Sequence, residues 1–177
     1  VTMNPSKWAV CLYVLLGVAV SAICQAQAVG ETQGGLVTAA KMSHARAAHT
    51  ATPLSDGRVL LVGGFDGEGG VAGTELYNPA EAAYTPAGPM YTPRYSHTAT
   101  PLPDGRILLT GGYDAGGGYL DSAELYDPEQ DTFTQAGPLG TARADHVAVL
   151  LEDDCVLLIG GVGEGWTFLA SAELYDP

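Results

Sequence analysis

Residues 94–128 read RYSHTATPLPDGRILLTGGYDAGGGYLDSAELYDP, and the chain is built on that stretch. One register earlier, residues 46–79 read RAAHTATPLSDGRVLLVGGFDGEGGVAGTELYNP. One register later, residues 143–177 read RADHVAVLLEDDCVLLIGGVGEGWTFLASAELYDP. His49, His97 and His146 are 48 and 49 residues apart, as are the glycine pairs Gly63-Gly64, Gly111-Gly112 and Gly160-Gly161. Glu75, Glu124 and Glu173 are 49 apart each time. Self-similarity at a fixed period is the signature of a repeat architecture, so the repeat decides the fold.

Each copy divides into four short strands. Strand a opens at the histidine and carries small and apolar residues suited to a crowded inner position, over 49–54, 97–102 and 146–151. A hairpin turn follows, with Asp56-Gly57 and Asp104-Gly105 marking it because glycine tolerates positive φ. The third copy has Asp153-Asp154 there, and its turn is expected to be looser. Strand b is a continuous apolar run, 59–62, 107–110 and 156–159, which reads as buried on both faces. Strand c carries Glu-Leu-Tyr at 75–77, 124–126 and 173–175, and a proline two residues beyond the tyrosine ends it. Strand d carries Tyr84 and Phe133. No helical periodicity interrupts the pattern, so the fold class is all-β.

A period near 50 with a double glycine is the kelch spacing. The chain resembles kelch-repeat β-propellers of the secreted bacterial type, related to the central-domain fold of galactose oxidase. The resemblance covers residues 36–177. It rests on the Gly-Gly strand ends, the Glu-Leu-Tyr-Asp/Asn-Pro strands, and an aromatic seven residues after Tyr77 and Tyr126. That aromatic is Tyr84 or Phe133 where the family usually has tryptophan. The implied fold is a ring of four-stranded blades. The division is a strand d at 36–42, a blade at 43–90, a blade at 91–139 and a partial blade at 140–177. Propellers close with 4 to 8 blades. Two closures are therefore expected as alternatives: further repeats beyond Pro177, or self-association of copies, with Leu36-Val37-Thr38 lending a strand d.

Residues 1–28 read as an export signal: Lys7, an apolar run over 8–23, and Ala26-Gln27-Ala28 as a small-x-small cleavage site. Residues 29–35 form a short polar leader. The apolar run is shorter than the roughly 20 residues a spanning helix needs, so stable membrane insertion is not expected. The protein is expected to be secreted or to reside in the cell envelope. Without Lys7, six basic residues remain against 20 acidic ones, a net charge of −14. That balance opposes nucleic acid, whose affinity comes from Lys and Arg on phosphates. Cys155 becomes the only cysteine, on a strand beside Glu152, Asp153 and Asp154, a setting opposed to a reactive thiolate.

A residue present in every copy builds blades; one present in a single copy is free to serve a site. Arg46, Arg94 and Arg143 are threefold, and they are expected to form ion pairs between strands with Glu75, Glu124 and Glu173. His49, His97 and His146 read as structural imidazoles, with no metal assigned to them. Tyr77, Tyr126 and Tyr175 complete the repeated set. The copy-specific residues lie in the loops after Gly-Gly: Phe65, Asp66 and Glu68; Tyr113, Asp114 and Tyr119; Glu164, Trp166 and Phe168. Aromatics and single carboxylates among mobile glycines, with Tyr113, Tyr119, Trp166 and Phe168 expected to be solvent-accessible on one edge, suit sugars or peptide side chains, and loops on a rigid scaffold are where binding residues concentrate. No nucleophile–base set, calcium loop or phosphate loop is present in the sequence, and no cofactor is implied. The resemblance implies a binding module for protein or carbohydrate. The alternative is part of a propeller enzyme, a galactose-oxidase-like copper radical oxidase or a sugar mutarotase. No residue matches the copper site, so no ligand carries over.

Overall fold

The computed structural model describes residues 35 and 37–177, so the expected export signal, most of the leader and Leu36 lie outside the described residues. The first sheet runs β1 (Thr50–Pro53), β2 (Val59–Val62), β3 (Thr74–Asn78), β4 (Ala83–Pro86). The second runs β5 (Thr98–Pro101), β6 (Ile107–Thr110), β7 (Ala123–Asp127), β8 (Thr132–Ala136). Both are antiparallel meanders in chain order. The third sheet joins β9 (Val147–Leu150), β10 (Val156–Ile159) and β13 (Ala172–Tyr175), with β10 in the centre. Between β10 and β13, β11 (Val162–Gly163) and β12 (Thr167–Phe168) form a small hairpin over a one-turn 3₁₀ segment, Glu164–Trp166. The register repeats residue for residue: Leu60 faces Leu76, Leu108 faces Leu125, and Leu157 faces Leu174. The innermost strands β1, β5 and β9 lie beside one another in sequence, as blades set around an axis require.

Burial follows the apolar runs. Leu54, Leu60, Val62, Leu76 and Met90 of the first sheet pack against Ile107, Leu109, Tyr126 and Phe133 of the second. Leu102, Leu108, Leu125 and Leu139 of the second pack against Val156 and Leu158 of the third. Each blade thus presents one apolar face forward and one backward. Complete burial of each such leucine or isoleucine contributes roughly 1.5–3 kcal/mol. Every residue of β6 is buried, because the second sheet is packed against the first on one side and the third on the other.

The double glycine is a joint between blades. Both members have positive φ, 62° and 110° at Gly63-Gly64 and 58° and 97° at Gly111-Gly112. A Cβ on Gly63 would stand 2.3 Å from the carbonyl oxygen of Arg94 in the next repeat, and one on Gly111 would meet that of Arg143 at the same distance. The second glycine then donates its N–H to that carbonyl, Gly64 to Arg94 at 2.9 Å and Gly112 to Arg143 at 2.8 Å. Nearer the axis a second series of amides links the blades, Ser96 N–H to Ala48 O and Asp145 N–H to Ser96 O, both 3.0 Å. Ala48, Ser96 and Asp145 all adopt φ near 50° to make it.

Two expectations need correction. The third hairpin turn is not looser: Asp154 takes φ 69° where Gly57 and Gly105 stand. It closes with the same bonds, Leu151 N–H to Cys155 O at 2.8 Å and Asp154 N–H to Leu151 O at 3.2 Å. Aspartate visits the left-handed region more readily than most residues, so the glycine is dispensable. The strand d placed at 36–42 is also absent from its described part. Val37 and Thr38 are exposed and without strand pairing. β3 and β7 pair with their own β4 and β8, and the outer edge of β13, which that strand d was expected to complete, carries no partner among the described residues.

Candidate functional site

The threefold arginine leads into strand a, and its guanidinium stitches three segments together. Arg94 donates from one nitrogen to the Gly111 and Ser122 carbonyls at 2.9 and 3.0 Å, and from the other to Glu124 at 2.8 Å. Arg46–Glu75 at 2.6 Å and Arg143–Glu173 at 2.5 Å repeat it. The glutamates have a second task. Glu124 accepts the Tyr91 and Thr92 amides, and Glu173 those of Gly140 and Thr141. Each carboxylate therefore pins the connection entering its blade. The expected ion pair is present, but between a loop and strand c, not between two strands. Arg94 is wholly buried; desolvation lowers its pKa and Glu124 opposes that. Each guanidinium is thus engaged by a glutamate of its own blade.

The histidines cross from blade to blade. His97 Nε2 meets Thr50 Oγ1 of the preceding blade at 3.0 Å, and His146 Nε2 meets Thr98 Oγ1 at 3.0 Å and Thr110 Oγ1 at 2.9 Å. Their Nδ1 atoms are buried without a partner, so the imidazoles are only half satisfied. Burial, then Arg94 and the neighbouring histidines, pushes His97 down to about 3. Burial and Arg143 push His146 down to about 4, against Asp145 and Glu173. Both are neutral at pH 7. Among the described residues no group of His, Cys, Asp and Glu is placed to hold a metal ion. The Cys155 thiol is pushed up by burial and by Asp153, away from the thiolate.

The loops after Gly-Gly share one edge with the connections entering strand a. Ala47 bridges Phe65, Tyr95 bridges Tyr113, and Ala144 bridges Val162. On that edge the structure stacks four aromatics in a row. Ring centroids are 5.2 Å apart for Phe65–Tyr95, 5.1 Å for Tyr95–Tyr113 and 5.0 Å for Tyr113–Tyr119. Tyr95 joins the first loop to the second, and the Tyr113 hydroxyl donates to Asp145 of the third repeat at 3.3 Å. Burial, followed by its bonds to Tyr119 and Asp145, raises the Tyr113 phenol, so it stays protonated as a donor.

The loop residues do not share one fate. Tyr113 is buried, contrary to its expected accessibility, and Tyr119 is half-buried. Phe65 is on the exposed side, while Trp166 and Phe168 are 73% and 84% exposed and join no aromatic pair among the described residues. Asp66 and Asp114 fold back on their own loops, each accepting two backbone amides through Oδ1. Glu68 and Glu164 are exposed. Some of the glycines are set close to backbone or side chains, while Gly67 and Gly165 stand in open space. A Cβ on Gly69 would stand 2.9 Å from Ala115 O, and one on Gly118 would stand 2.8 Å from Asp114 Oδ2. Tyr95 and Asp145 were missed by attending to the loops after Gly-Gly. Their signal was available, since the equivalent positions read Ala47, Tyr95, Ala144 and Ala48, Ser96, Asp145, each differing between copies.

No curated protein matches the chain. A Kelch motif model matches residues 94–140. That span holds the Arg94 clamp, the glycine joint and all four strands of the second sheet. Residues 94–140 are thus a Kelch motif, and with the same joint and clamp on either side of it the antiparallel sheets fit the blades of a kelch-repeat β-propeller.

Proposed function

We propose that this chain is an exported binding module that takes a protein or carbohydrate partner on the edge carrying Phe65, Trp166 and Phe168. Kelch propellers are interaction modules, and fold alone does not choose the ligand. The observation that carries the reading is the exposure of Trp166 and Phe168 on a hairpin tied down by β11 and β12. Large apolar rings held in water by a rigid support have the character of recognition anchors. Glu68 and Glu164 stand on the same loops, and the described arginines are all engaged by carboxylates of the fold, so polar donors on a partner find acceptors unpaired there.

The test is selection of ligands from a peptide display library and a glycan array, followed by the double variant Trp166→Ala/Phe168→Ala. Loss of two anchors should weaken the selected ligand on the order of 10-fold or more. Glu129→Ala, in the strand c–d turn on the opposite edge, should leave binding unchanged. Equal binding by both variants refutes the assigned edge. Export rests on the arrangement of Lys7, residues 8–23 and Ala26-Gln27-Ala28. N-terminal sequencing of the accumulated protein should begin near Val29, and an intact residue 1 would remove this part of the proposal.

A further inference from the structure

Aspartate followed by glycine is a chemically fragile pair, because glycine has no side chain to keep its nitrogen away from the aspartate carboxyl. The chain carries the pair at Asp56-Gly57, Asp66-Gly67 and Asp104-Gly105. The first and last are the turns between strands a and b, and the fold protects both. The reacting nitrogen is engaged: Gly57 and Gly105 donate their N–H groups to Leu54 O and Leu102 O, both at 3.0 Å. An amide bonded in this way gives up its proton only when the bond opens. The carboxyl is engaged as well. Asp56 Oδ1 accepts the Arg58 amide at 2.9 Å and its Oδ2 accepts Arg58 Nε at 2.7 Å. Asp104 makes the same two bonds with Arg106, at 3.0 and 2.6 Å. Ladder pairs flank each turn, Pro53 with Val59 and Pro101 with Ile107.

Asp66-Gly67 lies in the loop after Gly63-Gly64 and has neither lock. Among the described residues the Gly67 N–H meets no acceptor and Asp66 Oδ2 meets no donor. Asp66 Oδ1 accepts the Glu68 and Gly69 amides at 2.9 and 3.0 Å, which folds the carboxyl over the chain that follows it. Asp66, Gly67 and Glu68 are all exposed, and a Cβ on Gly67 would meet nothing within 4 Å. The loop is fixed behind this tip, where Phe65 bridges Gly70 and where Gly69 lies against Ala115 of the next repeat. All three carboxyls are held below the ordinary aspartate range, Asp56 by Arg58, Asp66 by the Glu68 amide and Asp104 by Arg106. Protonation therefore does not choose among them, and the freedom of the glycine nitrogen does.

We propose that Asp66-Gly67 is a site of spontaneous isoaspartyl modification on the edge that carries the aromatic row. The Gly67 nitrogen, having given its proton to water, attacks Asp66 Cγ, and a carboxyl oxygen leaves as water. The new N–Cγ bond closes a five-membered succinimide. Water then adds to one of the two ring carbonyls. Addition at Cγ breaks the new bond and restores aspartate. Addition at the main-chain carbonyl carbon breaks the original peptide bond, so the chain runs through Cγ and the α-carboxylate hangs free. One water is lost and one is regained, and no oxidant or cofactor enters. The product has one more carbon in the main chain between Asp66 and Gly67. That carbon displaces the Asp66 N–H from Gly69 O, a bond of 3.3 Å, and moves Glu68 and Phe65, the ring at the head of the row. The modification stands on the loop's own chemistry, whether or not this edge takes a partner.

The experiment keeps the purified chain for several weeks at neutral pH. Isoaspartyl groups are then counted by transfer of a labelled methyl group from S-adenosylmethionine with an isoaspartyl carboxyl methyltransferase, and located by peptide mapping. Residue 66 should convert roughly 10-fold or more faster than residues 56 and 104, the combined effect of one backbone hydrogen bond and one exposed ion pair that must open first. In urea, where the fold no longer selects, the three should convert at similar rates. Asp66→Glu should remove most of the methyl acceptance of the native protein, because the larger ring closes far more slowly. Conversion at residue 56 or 104 as fast as at residue 66 in the native protein would overturn the proposal. So would an Asp66 that stays intact while the urea-treated chain reacts.

Discussion

Acid should loosen the joints between blades, and the histidines fix where. His97 and His146 lie at about 3 and 4 in the fold against an ordinary value of 6.5. The unfolded chain takes up a proton on each as pH falls through 6.5, and the folded chain does not. Their stabilising effect is complete above 6.5 and declines as pH falls toward 4. At pH 5 the loss depends almost entirely on the unfolded value, since both folded values lie well below it. It is about 2 kcal/mol per histidine, roughly 3.5 kcal/mol for the pair relative to pH 7. Set against a total stability of about 5–15 kcal/mol, that is a large fraction. The assay is urea unfolding at half-unit steps from pH 7.5 to 5, on the wild type and on His97→Gln/His146→Gln. Glutamine can reach the same threonine hydroxyls but does not titrate. The double variant should lose some stability at pH 7 and most of the slope between 7 and 5. A variant with the wild-type slope would refute the reasoning, because it would place the titrating groups elsewhere.

Other perturbations separate the clamp and joint from the surface. Glu124→Ala leaves Arg94 buried and unpaired and frees the Tyr91 and Thr92 amides, so urea unfolding should show a loss of about 3–5 kcal/mol. Asp104→Asn, at the half-exposed pair with Arg106, should cost at most about 1 kcal/mol in the same assay. Gly112→Ala puts a Cβ 2.6 Å from Tyr95 O at φ 97°, and thermal unfolding should report a severely destabilised protein. Gly57→Ala has similar φ in open space and should cost only about 1–2 kcal/mol.

The strands could be read because their determinants are local. Val59–Val62 and Ile107–Thr110 were bounded in sequence by the Asp-Gly turn on one side and Gly-Gly on the other, and the structure keeps those bounds. The Arg–Glu pairing was legible from recurrence alone. The glutamate's second role was not, since binding the Tyr91 and Thr92 amides depends on where the entering connection passes in space. The aromatic row was hidden for the same reason. Phe65, Tyr95, Tyr113 and Tyr119 come from three separate loops, and only the blade-to-blade offset decides that they stack. Tyr113 reads as surface because it stands in a copy-specific loop after Gly-Gly, yet packing between Tyr95 and Tyr119 removes it from water.

The glycine joint also bears on how such a chain can lengthen. Gly64 supplies the donor and Arg94, 30 residues later, the acceptor, so the two halves of one junction belong to adjacent copies. A duplication of one whole period, begun at any point, carries one donor and one acceptor with it. Every junction, old and new, is then matched again. A deletion of one whole period behaves alike. An insertion within a strand would shift its ladder register, whereas one in a loop is absorbed, since the two joints already span 30 and 31 residues with both bonds made. Recombination between copies is thus tolerated in units of 48 or 49 residues, the period by which the chain repeats. The loops after Gly-Gly, lying outside the donor–acceptor pairs, are free to diverge afterwards.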